Sequence, residues 1–177
     1  IDVLSTADMT VQGQGVRAGG SGSGNIALTT TETGSAVTLN AIVQSTSAGT
    51  VDVDSADAIA AESDIETIGG TVNLTAAEEI TDTNFAEGMI TADTLNIRDA
   101  KGVGQASSAL PIEGEAGWLD TDINHLNIRD VWYDDVYINE AEGINVRDVE
   151  LRYGIYREFA VVANDGDITV GNVVADD

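Results

Sequence analysis

The chain has 177 residues, of which 31 are acidic and 7 basic, so its formal net charge at pH 7 is −24. Such a surface repels nucleic acid and anionic lipid, and it favours a protein that stays soluble, attracts cations or works in strong salt. There is no cysteine, which excludes disulfides and thiolate metal sites. No apolar run is long enough to span a bilayer, so we expect no membrane insertion.

The predicted elements are short strands along the whole chain. Each combines alternating apolar and polar residues with glycine, asparagine or aspartate at its boundaries. Helical spacing is sustained nowhere, although the segment 55–68 fits either a short helix or a corner between strands. In chain order the predicted strand segments are 24–30, 34–43, 49–59, 69–80, 88–99, 122–130, 135–148 and 166–174.

The spacing between similar strands predicts the fold class. Val51 and Val72 are 21 residues apart, Val72 and Leu95 are 23 apart, and Val146 and Ile168 are 22 apart. Strand patterns that recur at this period are typical of a β-solenoid, in which each coil stacks on the previous one. We therefore predict an all-β solenoid with roughly 20–23 residues per coil, forming a single unit over 1–177. A β-sandwich is the alternative.

One five-residue phrase occurs three times, as LNIRD at 95–99 and 126–130 and as INVRD at 144–148. Because side chains alternate along a strand, the aliphatic residues of each copy face inward and the asparagine and arginine face outward. We expect each arginine to pair with the aspartate beside it, since stacked arginines alone would repel. On consecutive coils the outward side chains would form a ladder of Asn96, Arg98, Asn127, Arg129, Asn145 and Arg147.

The first two copies of the phrase are separated by more than one coil. The segment 101–117 lies between them and contains the only proline. We predict that it is a loop inserted into the coil.

The aromatic residues all lie after residue 84, and three of them are concentrated in VWYDDVY, 131–137. If alternate residues of this segment face inward, Tyr133 and Tyr137 face outward beside Asp135. Exposed tyrosines next to a carboxylate would offer a contact surface for a glycan or a protein. The alternative is that they pack beneath the loop at 101–117.

No residue pattern indicates catalysis. His125 is the only histidine, and without a nucleophile motif it is interpreted as a structural or surface residue. Paired carboxylates could serve glycoside cleavage, so a polysaccharide lyase or hydrolase is the enzyme alternative. Such a site needs basic residues or bound calcium beside the acids, and basic residues are scarce here. We predict that the chain is not an enzyme and has no catalytic residue.

Calcium is the only metal worth weighing. Asp52 and Asp54 share one outward strand face, and the turn at 164–167 is rich in oxygen ligands. Neither matches an EF-hand loop or a calcium-binding nonapeptide repeat. We predict no cofactor and no defined metal site, with weak Ca²⁺ binding arising from the overall charge.

Three stretches carry a resemblance to a known family: GTVNLTAAEEI, ITADTLNIRDAKGVG and the longer ALPIEGEAGWLDTDINHLNIRD…DDVYINEAEGINV. They resemble the repeats of filamentous-haemagglutinin-like large surface adhesins, over roughly residues 24–177. The resemblance implies an exported, right-handed parallel β-helix that acts as an adhesin or a structural filament at the cell surface. The acidity and the aromatic cluster depart from the commonest pattern of that family.

The strand alternation also continues when residue 177 is joined to residue 1. We therefore expect the unit to be a module or a subunit of a longer assembly, continued within one chain or by end-to-end docking of copies. The expected partners are other copies of the chain, or a glycan or protein on a neighbouring or host cell surface.

Overall fold

The computed structural model describes residues 1–19, 24–46, 48–83, 88–104, 117–132, 134–152 and 158–176. In these ranges the chain forms seventeen strands and no helix, and so contains no helix able to cross a membrane. The strands are β1 (Asp2–Ser5), β2 (Met9–Val11), β3 (Val16–Ala18), β4 (Ile26–Thr30), β5 (Val37–Leu39), β6 (Val43–Ser45), β7 (Thr50–Ser55), β8 (Ile59–Ala60), β9 (Ile65–Thr67), β10 (Thr71–Ala76), β11 (Ile80–Thr81), β12 (Ile90–Arg98), β13 (Leu119–Trp132), β14 (Val136–Glu140), β15 (Ile144–Arg152), β16 (Phe159–Ala163) and β17 (Ile168–Asp176).

The strands stack as a parallel β-solenoid with about 23 residues per coil. Every strand pair in the described chain is parallel, and each links one coil to the next. The predicted solenoid is confirmed. The sandwich alternative is wrong, because a sandwich is built from antiparallel pairs. The helix alternative for 55–68 is also wrong, since β8 and β9 lie there.

Each coil has three faces. The first face contains β1, β4, β7, β10, the second half of β12, most of β13, β15 and β17. The second face contains β2, β5, β8 and β11, continued by Val103, Val136 and Phe159. The third face contains β3, β6 and β9, followed by the first residues of β12 and β13 and the end of β14.

The register follows two of the three predicted intervals. Val51 pairs with Val72, and Val72 pairs with Leu95, at the predicted intervals of 21 and 23 residues. The third interval is wrong: Val146 pairs with Val170, and Ile168 pairs instead with Ile144. The glycine-led GTV and the LNI phrase therefore mark equivalent positions, whereas the last coils are longer than the sequence spacing suggested.

Aliphatic side chains fill the interior in columns along the solenoid. On the first face, one column of inward residues is fully buried. Stacking each residue on its counterpart removes nearly all of its apolar surface from water, which is the main stabilising term for such a rod. This column contains Ile26, Val51, Val72, Leu95, Leu126 and Val146.

The predicted insertion begins later than residue 101. Val103 pairs with Ile80 and with Val136, so residues 101–104 continue the coil rather than open the loop. Residues 105–116 of the predicted loop lie outside the described residues. The interval from Asn96 to Asn127 is 31 residues, which places the additional residues of this coil between Val103 and Trp118.

Candidate functional site: the outer faces of the coils

A ladder of amide side chains runs along the outer side of the first face. Asn127 Nδ2 donates a hydrogen bond to Asn96 Oδ1 at 2.9 Å, and Asn96 Nδ2 donates to Asn73 Oδ1 at 2.7 Å. Asn73 Nδ2 in turn donates to Asp52 Oδ1 at 2.5 Å. The ladder predicted for Asn96 and Asn127 is present, and it extends through two coils that the repeated phrase does not include.

A second, shorter ladder lies on the outer side of the third face. Asn164 Nδ2 donates to Asn139 Oδ1 at 3.1 Å, and Asn139 Nδ2 donates to Asp120 Oδ1 at 2.7 Å. Both ladders begin on an aspartate, and each asparagine donates toward the preceding coil. An aspartate suits the first position because a carboxylate only accepts hydrogen bonds.

The third copy of the repeated phrase departs from the ladder. Leu126 pairs with Val146, but Asn127 pairs with Asp148, so Arg147 is an extra residue on β15. The β-bulge shifts Asp148 and Val149 by one position, and a second irregularity between Ile128 and Val131 restores the register, so that Val131 pairs with Leu151. Asn145 precedes the bulge and pairs with His125, because the third copy lies two residues away from the alignment that the repeated phrase suggests. The predicted ladder positions of Asn145 and Arg147 are therefore wrong.

The arginines of the first two copies are neighbours. Arg98 pairs in register with Arg129, and a shallow cleft lies between them, lined also by Asn96 and Asn127. Arg129 Nη2 lies 2.7 Å from Asp148 Oδ2, whereas Arg98 makes no ion pair within the described ranges. The predicted pairing of each arginine with its own aspartate is thus wrong, because the acid that Arg129 contacts comes from the next coil.

Asp148 accepts hydrogen bonds from two neighbouring coils, one from Arg129 and one from Asn172. Asn172 Nδ2 donates to its Oδ1 at 3.0 Å, and together with the Arg129 guanidinium it lowers the pKa of Asp148. Asp130 contacts Arg152 Nε at 2.7 Å, and the Arg152 guanidinium lies 5.7 Å from the ring centre of Trp132. The C-terminal half of the first face therefore contains most of the ion pairs found in the described chain.

Tyr137 lies on the outer side of its strand but is not exposed. Only 6% of its surface is accessible, because the Trp118 ring covers it at a centroid distance of 5.0 Å. Its hydroxyl lies 3.0 Å from Asp135 Oδ2, to which it donates, and 3.2 Å from Glu158 Oε2. Burial, followed by these two carboxylates, raises the pKa of Tyr137. The predicted outward direction is correct, but the expectation that Tyr137 is exposed is wrong.

Asp135 organises this corner rather than extending into solvent. Its Oδ1 accepts the backbone N–H of Glu158 at 2.7 Å, and its Oδ2 accepts the Tyr137 hydroxyl. The Trp118 indole N–H is buried and has no partner within the described residues. Tyr133 lies outside the described residues, so the contact surface predicted for it remains a prediction.

His125 lies in the first face, level with Thr94 and Asn145. Its side chain is partly buried, and Nδ1 has no hydrogen-bond partner among the described residues. The column that it joins is otherwise built from threonine and asparagine, including Thr71 and Thr169.

A groove that the sequence did not indicate lies where the third face meets the first. Asp93, Asp122 and Glu142 line it together with Asn124, whose Nδ2 donates to Asp93 Oδ1 at 3.2 Å. The three acids of the groove come from three different coils and are far apart in the sequence. No local sequence motif could therefore have predicted the groove. Three carboxylates at one groove attract cations through their summed field.

No group of three or more metal-ligating side chains is arranged to hold an ion in the described part of the chain. Asp52 is engaged by Asn73 and by the Thr50 hydroxyl, at 3.2 Å in the latter case. Burial, with a smaller contribution from the charge of Asp99, raises the pKa of Asp54. Weak Ca²⁺ binding stays a prediction.

Comparison with known proteins adds no relative: no family model, no curated protein and no solved structure matches the chain.

Proposed function

We propose that the chain is a stiff structural and adhesive element of an extracellular surface assembly, similar in role to the large surface adhesins that its sequence resembles. The observation that carries the proposal is the continuous stack of parallel strands from β1 to β17, in which each of these two strands pairs on one side only among the described residues. A regular stack resists bending because every coil is tied to its neighbours by backbone hydrogen bonds.

Further coils are the partners that these edges fit best. Ile1 and Val3 lie at one end of the described stack, and Val170 and Val173 lie at the other. All four are partly exposed, since no described coil covers them. Another coil, from the same chain or from another copy, would pair with the free strand edge and bury these side chains.

The acidic surface determines the solution conditions under which such ends can associate. Asp2 and Asp8 lie near the first strand, and Asp165 and Asp167 precede the last one. Like charges at both ends repel in dilute buffer, so joining is favoured by salt or divalent cations that screen them. The same charge disfavours nucleic acid and anionic membranes as partners. A glycan or protein on a neighbouring or host cell surface is the other partner that we propose.

Substitutions at the last strand test end-to-end joining. Val173 lies level with Val149 in the inward column, whereas Val174 lies level with Glu150 on the outer side. We expect Val173→Lys to abolish assembly in 2 M NaCl, measured by light scattering and sedimentation, and Val174→Lys to leave it intact. A wild-type protein that remains monomeric in salt and in calcium would contradict joining between separate copies.

The acidic groove supports a second candidate function, that of a polysaccharide-active lyase or hydrolase. Asp93, Asp122 and Glu142 could supply the paired acids that such chemistry uses. The test is incubation with neutral and acidic polysaccharides, followed by reducing-end analysis. Cleavage that is lost in Asp122→Asn would favour the enzyme, and no cleavage is expected if the chain is a structural element.

A further inference from the structure

Glu140 is an acidic side chain placed inside the solenoid. It ends β14 at an inward position, and none of its surface is accessible to solvent. In the interior column of the third face it follows Ile65, Ile90 and Thr121, and Ala163 lies above it. A carboxylate in such a column loses the hydration that stabilises its charge.

The carboxyl group nevertheless accepts three hydrogen bonds. Oε1 accepts the backbone N–H groups of Ile123 at 3.1 Å and Glu142 at 3.3 Å. Oε2 accepts the Thr121 hydroxyl at 2.7 Å. These bonds join the coil of β13 to the corner that follows β14, so the carboxyl group acts as a clamp between two coils.

Among the described residues, no cation balances the charge of this clamp. On β13 the flanking ionisable residues are Asp120, Asp122 and the partly buried His125, and Glu142 follows on the corner. The paired strand β16 contributes no ionisable residue, and the acid that follows it is Asp165. Arg129, the basic residue of β13, is paired with Asp148.

The hydrogen-bond geometry around Glu140 suits the protonated carboxyl group as well as the ionised one. When Glu140 is ionised, the Thr121 hydroxyl donates to Oε2. When Glu140 is protonated, Oε2 can donate to Thr121 Oγ1, whose own hydrogen can turn toward the Asn139 carbonyl, 3.4 Å away. Both forms keep their hydrogen bonds, but only the neutral form avoids a buried, unpaired charge.

We propose that Glu140 is a proton-binding site in the interior, and that the proton it binds tightens the C-terminal coils from β14 to β17. The proposal is independent of the proposed function. At acidic pH the clamp is neutral and the coils are held firmly. At alkaline pH the buried ion weakens them, so the end of the solenoid loosens.

The direction of the pH dependence follows from the proton affinity of the folded state. Burial raises the pKa of Glu140 from 4.5 to about 7, although the donors named above partly oppose this. Because the folded chain holds this proton more tightly than the unfolded chain, the added stability is complete below pH 4.5. It is lost as the pH rises to about 7, which increases the unfolding equilibrium constant on the order of a hundredfold.

Glu140→Gln tests the proposal with little change of shape. The amide oxygen can accept the two backbone N–H groups, and the amide nitrogen can donate to Thr121 Oγ1, so the variant mimics the protonated acid. Glu32→Gln, at an exposed acid with no part in the clamp, is the matched control. The measurements are denaturant unfolding between pH 4.5 and 8, and amide exchange of residues 158–176.

We expect the wild type and Glu32→Gln to lose stability and amide protection at the C-terminal coils as the pH rises, and Glu140→Gln to lose much less. An identical pH dependence in all three proteins would overturn the proposal. Carbon-13 NMR of the Glu140 carboxyl group in the wild type is an independent readout, should the variant fail to fold. A midpoint near 7 is expected, and a midpoint below 5 would overturn the proposal.

Discussion

Each of the first two copies of the repeated phrase ends in an aspartate at which the backbone changes direction, directly after β12 and within β13. Asp99 and Asp130 both have a φ of 56°, the left-handed backbone region in which aspartate is tolerated better than most side chains. The phrase thus ends in aspartate because the chain turns there. Asp148, in the third copy, does not have a positive φ, which matches the loss of the ladder at that copy.

Substitution of Asp99 separates backbone conformation from charge. Asp99→Asn keeps a short polar side chain and should leave the free energy of unfolding nearly unchanged. Asp99→Val should lower it by about 1–2 kcal/mol, because a β-branched side chain is strained at positive φ. Urea unfolding measures both. Equal stability of the two variants would show that the left-handed corner does not decide the residue type.

The contribution of the amide ladder to stability can be tested at Asn96, which accepts one ladder hydrogen bond and donates another. Asn96→Ala removes one donor and one acceptor from the middle of the ladder, so it should lower the free energy of unfolding by about 1–2 kcal/mol. Asn145→Ala is the control, since the Asn145 side chain makes no hydrogen bond with the described residues, and its effect should be within about 0.5 kcal/mol. If both substitutions lower the free energy of unfolding by the same amount, the ladder does not stabilise the stack.

At the scale of the strand, stability depends on whether a coil lies on both sides. Val72 and Val170 occupy the same inward column, but Val72 is completely buried and Val170 is 57% exposed at the end of the stack. Identical residues in one column therefore experience different environments. Interior strands should behave as one cooperative unit, and the terminal strands should open first.

Alanine substitution at these two valines tests that view. Val72→Ala should lower the free energy of unfolding by about 2 kcal/mol, because it removes two buried methyl groups and leaves a cavity. Val170→Ala should change it by less than about 0.5 kcal/mol in the monomer. Thermal unfolding followed by circular dichroism compares them. A similar loss of unfolding free energy in both variants would contradict the view that the terminal strand is less stable than the interior strands.

Local repetition was sufficient to predict the fold and much of the first face. The register of Val51, Val72 and Leu95 follows from the spacing of glycine-led strands, because a stacked coil must repeat its own length. The bulge at Arg147 was not predictable, since the third copy has the same residue types as the other two. Which residue is extra depends on the corners of two coils, which no short phrase encodes.

The buried positions near the insertion were harder to predict for a similar reason. Strand alternation correctly directs Tyr137 outward, but its cover comes from Trp118, nineteen positions earlier in the chain. Alternation in VYINE also directs Glu140 inward with Val136 and Ile138, so a signal existed. A glutamate at a strand end is ordinarily assigned to the surface, and its burial is made tolerable by donors of the preceding coil and of the corner that follows β14.

At the scale of the whole molecule, the charge of −24 opposes compaction and association. Exposed carboxylates repel one another along every face, and only a few are paired with arginine or lysine in the described chain. At 0.1 M salt this repulsion is largely screened between charges more than about 10 Å apart. The acidic surface therefore makes both folding and end-to-end joining depend on ionic strength.

Thermal stability should accordingly rise with salt. Between 0.05 and 1 M NaCl at pH 7 we expect the Tm to increase by about 5 °C, because screening reduces self-repulsion in the folded state. The control is the same pair of scans at pH 4, where many carboxylates are protonated and the gain should be smaller. A Tm that falls with salt at pH 7 would contradict the role assigned to the net charge.

Electron microscopy of the protein as isolated from its cell tests the central claim most directly, that the solenoid is a rod extended by further coils. We expect long, thin fibres, or rods far longer than one unit, with an axial repeat of about 40 Å for a unit of eight first-face strands. Isolated particles of a single unit's length, with bare ends in salt and in calcium, would contradict it.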